Sequence, residues 1–458
     1  MTWRPEYHFA PRRNWMNDPN GLVHADGTYH LYFQHNPGGD QWGSMSWGHA
    51  VSTDLLTWAE LPVALPATAA EAYYSGSAVA VDGGLLAALT VVDPAGRQSQ
   101  ALARSPDGRT WTVENARLTD PDPDFRDPKL IRDEHGWLLV VALSAQHRVR
   151  FYRSADLRDW TAVSEFGPAG AVGGGWEMPD LLRLPLDGTL RYVLVVGVVA
   201  GGPGGGSATQ LFVGDFDGTT FTATGTGWAD SGPDFYAAAS FSGLAGRTVW
   251  LAWLNDWRYA AAVPTSPWRG VMSVPREVGL RTIDGRVRLV QRPVPELAAL
   301  HGPAVTVAGH ALDGETVLPV RGTALEIVAD LVVSPGGEAG LVVRRSADGR
   351  EGTRVSWSDG RLTLDRTRSG TVDLHPDFAA AYPAALPSAD GRVTVRVLVD
   401  RCSVEVFGGV GEVTLSGQVF PAGSSDQVSV YGRDARIERL TAWPLAATNP
   451  GRPASQPA

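Results

Sequence analysis

Cysteine is almost absent from this chain of 458 residues: Cys402 is the only one. No internal disulfide can form, so the fold must rest on its own core. No apolar run is long enough to cross a bilayer as a helix. No basic segment stands out either, and the formal net charge is −10, which argues against a nucleic-acid partner. The ten histidines are scattered, with no zinc-type cluster among them. Helical periodicity never persists beyond a few turns. The opening residues, Met1 to Tyr7, lack the apolar stretch of a signal peptide. Taken as a native start, they imply a cytoplasmic protein; a secreted protein whose signal peptide had been removed would look the same.

What the chain has in quantity is turn formers, with 53 glycines and 32 prolines. Between them lie short runs rich in Val, Leu, Tyr and Trp, which predict an all-β fold. A repeat is visible. Ser52-Thr53-Asp54-Leu55-Leu56-Thr57-Trp58 recurs as Ser105-Pro106-Asp107-Gly108-Arg109-Thr110-Trp111 and as Ser154-Ala155-Asp156-Leu157-Arg158-Asp159-Trp160, with a degenerate copy at Asp215 to Phe221. The period of about 50 residues is that of propeller blades. Each copy reads as a tight turn joining two outer strands, with its Trp packed between blades rather than holding a ligand. Apolar runs begin at Tyr29, Leu85, Trp137, Tyr192 and Val249. Five such runs predict a five-bladed β-propeller, whose central channel lets residues distant in sequence meet at one end.

The period stops near Pro293-Val294-Pro295. Beyond it, alternating strands such as 393–399 and 403–407, with Asp-Gly turns between strands, predict a C-terminal antiparallel β-sandwich. The expected division is a catalytic propeller over residues 1–294, a linker over 295–303, a β-sandwich over 304–446 and a flexible tail over 447–458. The glycine-rich stretch 201–206 reads as a flexible surface loop; it lacks the strand-to-helix setting of a phosphate loop.

Three motifs place a carboxylate beside a proline: Asn17-Asp18-Pro19-Asn20, Phe125-Arg126-Asp127-Pro128-Lys129 and Trp176-Glu177-Met178-Pro179-Asp180. Proline biases the residue before it to an extended backbone. That suits an acid at a strand end aimed into a cleft. Taken alone, Asp18 between Asn and Pro could equally form an Asx turn. Three acids could provide a nucleophile, a proton donor and a charge-stabilising partner, and glycoside hydrolysis needs the first two.

The order and spacing of these motifs resemble glycoside hydrolase family 32, the fructan and sucrose hydrolases. Further stretches agree: Tyr74-Ser75-Gly76-Ser77, Asp234-Phe235-Tyr236, Trp253-Leu254-Asn255-Asp256-Trp257, Pro267-Trp268-Arg269-Gly270 and Asp400-Arg401-Cys402-Ser403-Val404-Glu405. The resemblance implies a retaining hydrolase that releases terminal fructose from levan, inulin, fructo-oligosaccharides or sucrose, without a cofactor or metal. Asp18 is then the nucleophile, Glu177 the general acid/base and Asp127 the transition-state stabiliser, with Arg126 beside it. Apolar walls from Trp176 and Met178 would raise the pKa of Glu177. The family commonly has Cys where Met178 stands.

Carried over to the fructose pocket are Asn17, Gln34, Trp42, Tyr74, Ser75 and Trp268; Tyr74 replaces a more usual Phe. Asp234 and Asn255 stand as candidates for the leaving-group side, with a structural role equally open. Asp400 and Glu405, in the sandwich, read as structural. The residues leave three alternatives open: fructosyl transfer to a sugar hydroxyl, endo attack or disaccharide release, and fructan binding without catalysis. The sequence does not fix β-2,1 or β-2,6 preference, or the oligomeric state.

Overall fold

The structure, a computed structural model, describes residues 3–448. All but the first two residues of the expected tail therefore lie outside the described residues. Residues 14–293 form five sheets around a channel. From the channel outwards, blade 1 comprises Asn14–Ala25, Thr28–Asn36, Ser46–Ser52 and Ala59–Leu65. Blade 2 comprises Ala72–Val81, Gly84–Val92, Gln98–Ser105 and Thr112–Arg117. Blade 3 comprises Phe125–Asp133, Gly136–Leu143, Arg148–Ser154 and Thr161–Phe166. Blade 4 comprises Trp176–Leu186, Thr189–Val198, Ala208–Phe216 and Phe221–Trp228. Blade 5 comprises Tyr236–Ser240, Thr248–Trp253, Arg276–Ile283 and Arg286–Pro293.

The first strand of each blade lines the channel and touches the first strands of its neighbours, blade 5 against blade 1 included. Closure is reinforced by Trp268–Arg269, which pairs in parallel with Asn14 and Trp15 on the inner edge of blade 1. The apolar runs legible in the sequence are the second strands of the blades. Each is flanked by two paired strands and covered on both faces, so it reads as nearly continuous hydrophobe.

The repeated turn joins the third and fourth strands. In each copy one carboxylate caps two backbone N–H groups ahead of it: Asp54 takes Leu56 and Thr57, Asp107 takes Arg109 and Thr110, Asp156 takes Arg158 and Asp159. The degenerate copy does the same through Asp217, with Thr219 and Thr220. Trp58 closes its own turn by donating Nε1–H to Leu55 O at 2.9 Å, and Trp160 repeats this with Leu157. Blade 5 replaces the motif with a tight Asp284-Gly285 turn.

Residues 295–300 form a short 3-10 helix whose Leu297 is buried, so the connection is packed rather than loose. The C-terminal unit is one sheet folded over on itself. Residues 325–332 of the long strand Leu325–Arg345 pair with Arg392–Asp400, residues 338–343 pair with Thr353–Ser358, and Gln427–Pro444 runs alongside both halves. The fold lies at the break between Val333 and Glu338, and the core, from Leu325 and Ile327 to Val404 and Leu440, fills the space between the two layers.

The two units share a buried polar seam. His8 donates its two ring N–H groups to Asp400 at 2.8 Å and Glu405 at 2.7 Å, with all three side chains sealed from solvent. Arg276 pairs with Glu405 and, at 3.1 Å, with Asp230, its guanidinium sandwiched between Phe235 and Phe407. Asp400 and Glu405 thus dock the sandwich on the propeller. The glycine-rich loop 201–206 is also pinned: its own backbone hydrogen bonds close it, and Arg258 donates to Gly204 O at 3.0 Å.

Candidate active site

Each of the five channel-lining strands is irregular at the same end of the channel. The pairing register shifts between Met16 and Pro19, Tyr74 and Gly76, Glu177 and Asp180, and Tyr236 and Ala239. In blade 3 it shifts across Arg126 to Lys129, opposite Val140 and Ala142. A bulge breaks the strict alternation of a strand and re-aims a side chain. Here it turns Asp18, Asp127 and Glu177 towards one space. Asp127 and Met178, each followed by proline, have φ of 63° and 49°. They are left-handed and not extended as the proline rule suggests, because the bulges impose their own geometry. The prolines are tolerated because an innermost strand is a sheet edge, where a missing N–H breaks no ladder bond.

The space is an open cavity of about 340 Å³. Of the residues expected from sequence, Asn17, Asp18, Gln34, Trp42, Tyr74, Ser75, Arg126, Asp127 and Glu177 line it. Trp42 is half exposed at its mouth, edge-on to Tyr74. A larger cleft, about 1170 Å³, opens between blades 1 and 2 around Asp26, Asp82 and Arg109, and none of the expected residues lines it.

Asp18 is buried. Its Oδ2 accepts the Ser75 hydroxyl at 2.9 Å, and its Oδ1 has no partner among the described residues. Burial and the neighbouring charge of Glu177 push its pKa up to about 6, against the opposing pull of the Asn17 amide and the Ser75 hydroxyl. Asp127 is also raised, by burial first and then by the charges of Glu177 and Asp18; Arg126 and the Met178 N–H, which donates at 2.9 Å, oppose the rise. Glu177 is held differently. Arg126 donates Nε–H and Nη2–H to its Oε1 at 3.1 and 2.9 Å, and the Tyr236 hydroxyl donates to Oε2.

The expected apolar walls of Glu177 are not there. Trp176 packs away from the site against Phe166 and Phe212, and Met178 joins a cluster with Trp15, Tyr236 and Trp253. Neighbours in a strand face opposite ways, so residues flanking Glu177 cannot wall it. Met178 instead serves Asp127 through its backbone.

Three expected residues are not brought to the cavity. Trp268 lies buried in the closing strap beneath the Arg4 guanidinium, 4.8 Å from the ring centroid. Asp234 is sealed in the seam between the two units, where it pairs with Arg366 at 2.6 Å and accepts the Gln418 N–H at 2.7 Å. Asn255 is buried and accepts the N–H of Asp256 at 2.9 Å.

Sequence reasoning passed over Gln98, Val199 and Trp257, which line the cavity, and Tyr236, which grips Glu177. Tyr236 and Trp257 stand in stretches already singled out, and each carries a polar handle on an aromatic body, a signal for a ligand-facing position. Gln98 and Val199 carry no such signal. Among the described residues, no group of three or more His, Cys, Asp or Glu is placed to hold a metal.

Comparison with known proteins agrees with this geometry. The chain is 41% identical over 486 residues to an extracellular exo-inulinase of Aspergillus niger, covering 92% of this chain and 90% of that one. It is 40% identical to a levanase of Bacillus subtilis, over 97% of this chain and 70% of the levanase. The crystal structure of the exo-inulinase of Aspergillus awamori superimposes with a TM-score of 0.93 at 37% identity, over 98% and 99% of the two chains. The sequence model of the glycosyl hydrolases family 32 N-terminal domain matches residues 8–293, and that of the family's C-terminal domain matches residues 296–444. With a bulged acid at the mouth of the channel in each of three blades, and both family domains accounted for, this chain belongs to glycosyl hydrolase family 32.

Proposed function

We propose that the protein removes terminal fructose from fructans and sucrose by double displacement, with Asp18, Glu177 and Asp127 as the reacting and stabilising acids. The observation that carries this reading is the free Oδ1 of Asp18, in a cavity that Glu177 and Asp127 also line. One oxygen of Asp18 is fixed by Ser75, which leaves the other to attack the anomeric carbon. Asp18 and Asp127, both buried and both facing the charge of Glu177, are hard to ionise together, so the site keeps a proton. Glu177 delivers it to the departing oxygen as the bond from fructose to the next sugar breaks. Asp18 then holds fructose as an ester. Water, deprotonated by Glu177, opens the ester and returns the proton. Asp127, steadied by the Met178 N–H, holds fructose hydroxyls, and Arg126 orients Glu177.

The relatives' names, exo-inulinase and levanase, fit chain-end attack on fructans, and a raffinose invertase of Escherichia coli that is 33% identical fits release of fructose from small sugars. The cavity volume supports exo attack, because an internal fructose needs room on both sides. Relatives described as extracellular support action on polymers outside the cell; among the described residues, no helix is long and apolar enough to cross a membrane.

Chromatography of early products from sucrose, inulin and levan tests the reading. Fructose is expected as the sole early product from inulin and levan, and fructose with an equal amount of glucose from sucrose. A ladder of oligosaccharides overturns exo attack, and products longer than the substrate mark transfer. Asp18→Asn and Glu177→Gln are each expected to lower kcat by about 10³-fold or more, because an amide neither attacks nor delivers a proton. Near-normal sucrose hydrolysis by either variant removes that acid from its role.

A further inference from the structure

A second, much smaller space in the channel, of about 20 Å³, shares Asp127 with the catalytic cavity. Inner strands of all five blades contribute to it, through Gly21, Ser77, Asp127, Lys129, Asp180 and Ser240. Lys129 crosses this space. Its Nζ donates to Asp180 Oδ2 at 2.9 Å and to the hydroxyl and carbonyl of Ser240 at 2.8 and 3.1 Å. Asp180 Oδ2 also accepts the Ser240 N–H at 2.9 Å. Its Oδ1 has no partner among the described residues, although Asp180 is 3% exposed.

These three residues tie together the strands of blades 3, 4 and 5. Those strands carry Asp127, Glu177 and Tyr236, each a few residues before the tie. A buried carboxylate oxygen without a partner is costly, and a space of this size beside such polar groups holds one water molecule. Asp180 and Asp127 border the same pocket. We propose that Lys129 and Asp180 are a positioning pair for the catalytic acids: they fix the height of three bulged strands and, through one internal water, set the electrostatic environment of Asp127. This rests on the catalytic roles proposed above.

The groups facing Asp127 are Asp18 from blade 1, Tyr74 from blade 2, Arg126 and Lys129 from its own strand, Glu177 and Asp180 from blade 4, and Tyr236 from blade 5. Removing Lys129 leaves the negative charge of Asp180 uncompensated below them. Ionising the site then becomes harder. Removing the charge of Asp180 leaves Lys129 unpaired and makes ionisation easier.

The test is the pH dependence of kcat/KM for sucrose, with thermal melting alongside, in Lys129→Met, Asp180→Asn and the double variant. The acid limb is expected to move to higher pH in Lys129→Met and to lower pH in Asp180→Asn, each by on the order of half a pH unit or more. The double variant, neutral at both positions, is expected to return towards the parent profile. Acid limbs that superimpose on the parent's, whatever happens to melting, reduce the pair to a structural tie and overturn the proposal. If Lys129→Met does not fold, Asp180→Asn decides alone, since Lys129 keeps Ser240 there. Failure here leaves Asp18→Asn and Glu177→Gln inactive, whereas failure of the catalytic reading leaves one of those active. A crystal structure without water density at hydrogen-bonding distance from Asp180 Oδ1 overturns the water.

Discussion

In its proposed role as nucleophile, Asp18 combines two demands that pull against each other. A nucleophile must be ionised, yet closing a fructose pocket around it removes water. The pKa of about 6 is the residue of that conflict, with Ser75 and Asn17 offsetting part of the burial. The consequence for stability has a definite sign. A carboxyl whose folded pKa lies above its unfolded value, about 3.9, binds a proton more readily when folded. The fold bears no penalty near pH 4, loses stability as pH rises to about 6, and carries the full cost above that. A shift of roughly two units corresponds to about 3 kcal/mol. Asp18→Asn is isosteric and uncharged, so this variant is expected to melt a few degrees above the parent at pH 7, with the gain vanishing towards pH 4. Equal gains at both pH values, or none at either, contradict the assignment. Glu177 makes the complementary point. Its flanking residues suggested apolar walls, but what touches it is Arg126 from blade 3 and Tyr236 from blade 5, the neighbours on either side. No local reading of Trp176-Glu177-Met178 reports those partners, because they arrive through the ring.

At the scale of the strand, the legible and the illegible divide by burial. The second strands announced themselves because both of their faces are covered and their composition is uniform. The turns announced themselves because one Asp caps two N–H groups, and that chemistry needs the same residue type each time. The inner strands read as motifs rather than strands, because each combines a bulge, a sheet edge and a polar channel. So the acids were legible as a set through their resemblance to a family, while the bulges that aim them were not. Trp268, Asp234 and Asn255 stand in distinctive stretches too, yet the structure uses them to close the ring, to join the two units and to brace a turn. Blade 2 offers a direct test of the bulge. A Cβ on Gly76 would lie 2.1 Å from Ala88 O and 2.8 Å from Leu89 Cα, both backbone. Gly76→Ala must therefore push the bulge away from its partner strand and carry Ser75 from Asp18. The expected result is a loss of about 2 to 4 kcal/mol by denaturant unfolding, with kcat for sucrose reduced in the folded fraction. Parent stability and parent kcat together show that the bulge does not hold Ser75.

The whole molecule is held together by charges placed where water cannot reach. His8 belongs to the propeller, Asp400 and Glu405 to the sandwich, and burial alone would drive the proton off the imidazole. The hydrogen bonds and charges of the two carboxylates overcome that and raise its pKa to about 9, while Arg276 and His8 hold Glu405 down to about 2 despite its burial. A histidine raised above its unfolded value of about 6.5 stabilises the fold fully below that pH, and the contribution is lost as pH climbs through 9. The shift of roughly 2.5 units corresponds to about 3 kcal/mol. Denaturant unfolding of the parent is therefore expected to show stability falling between pH 7 and pH 10. Replacing the imidazole by His8→Gln removes the titrating group and leaves two carboxylates facing an amide. That variant is expected to be about 3 to 5 kcal/mol less stable at pH 6, to lose most of the slope between pH 7 and 10, and to approach the parent at pH 10. Because none of the three cavity acids touches the seam, kcat for sucrose at pH 6 and low temperature is expected to stay near the parent value. A slope unchanged by the substitution places the alkaline titration elsewhere. A large loss of kcat in the folded variant gives the sandwich a part in catalysis that its distance from the cavity does not suggest.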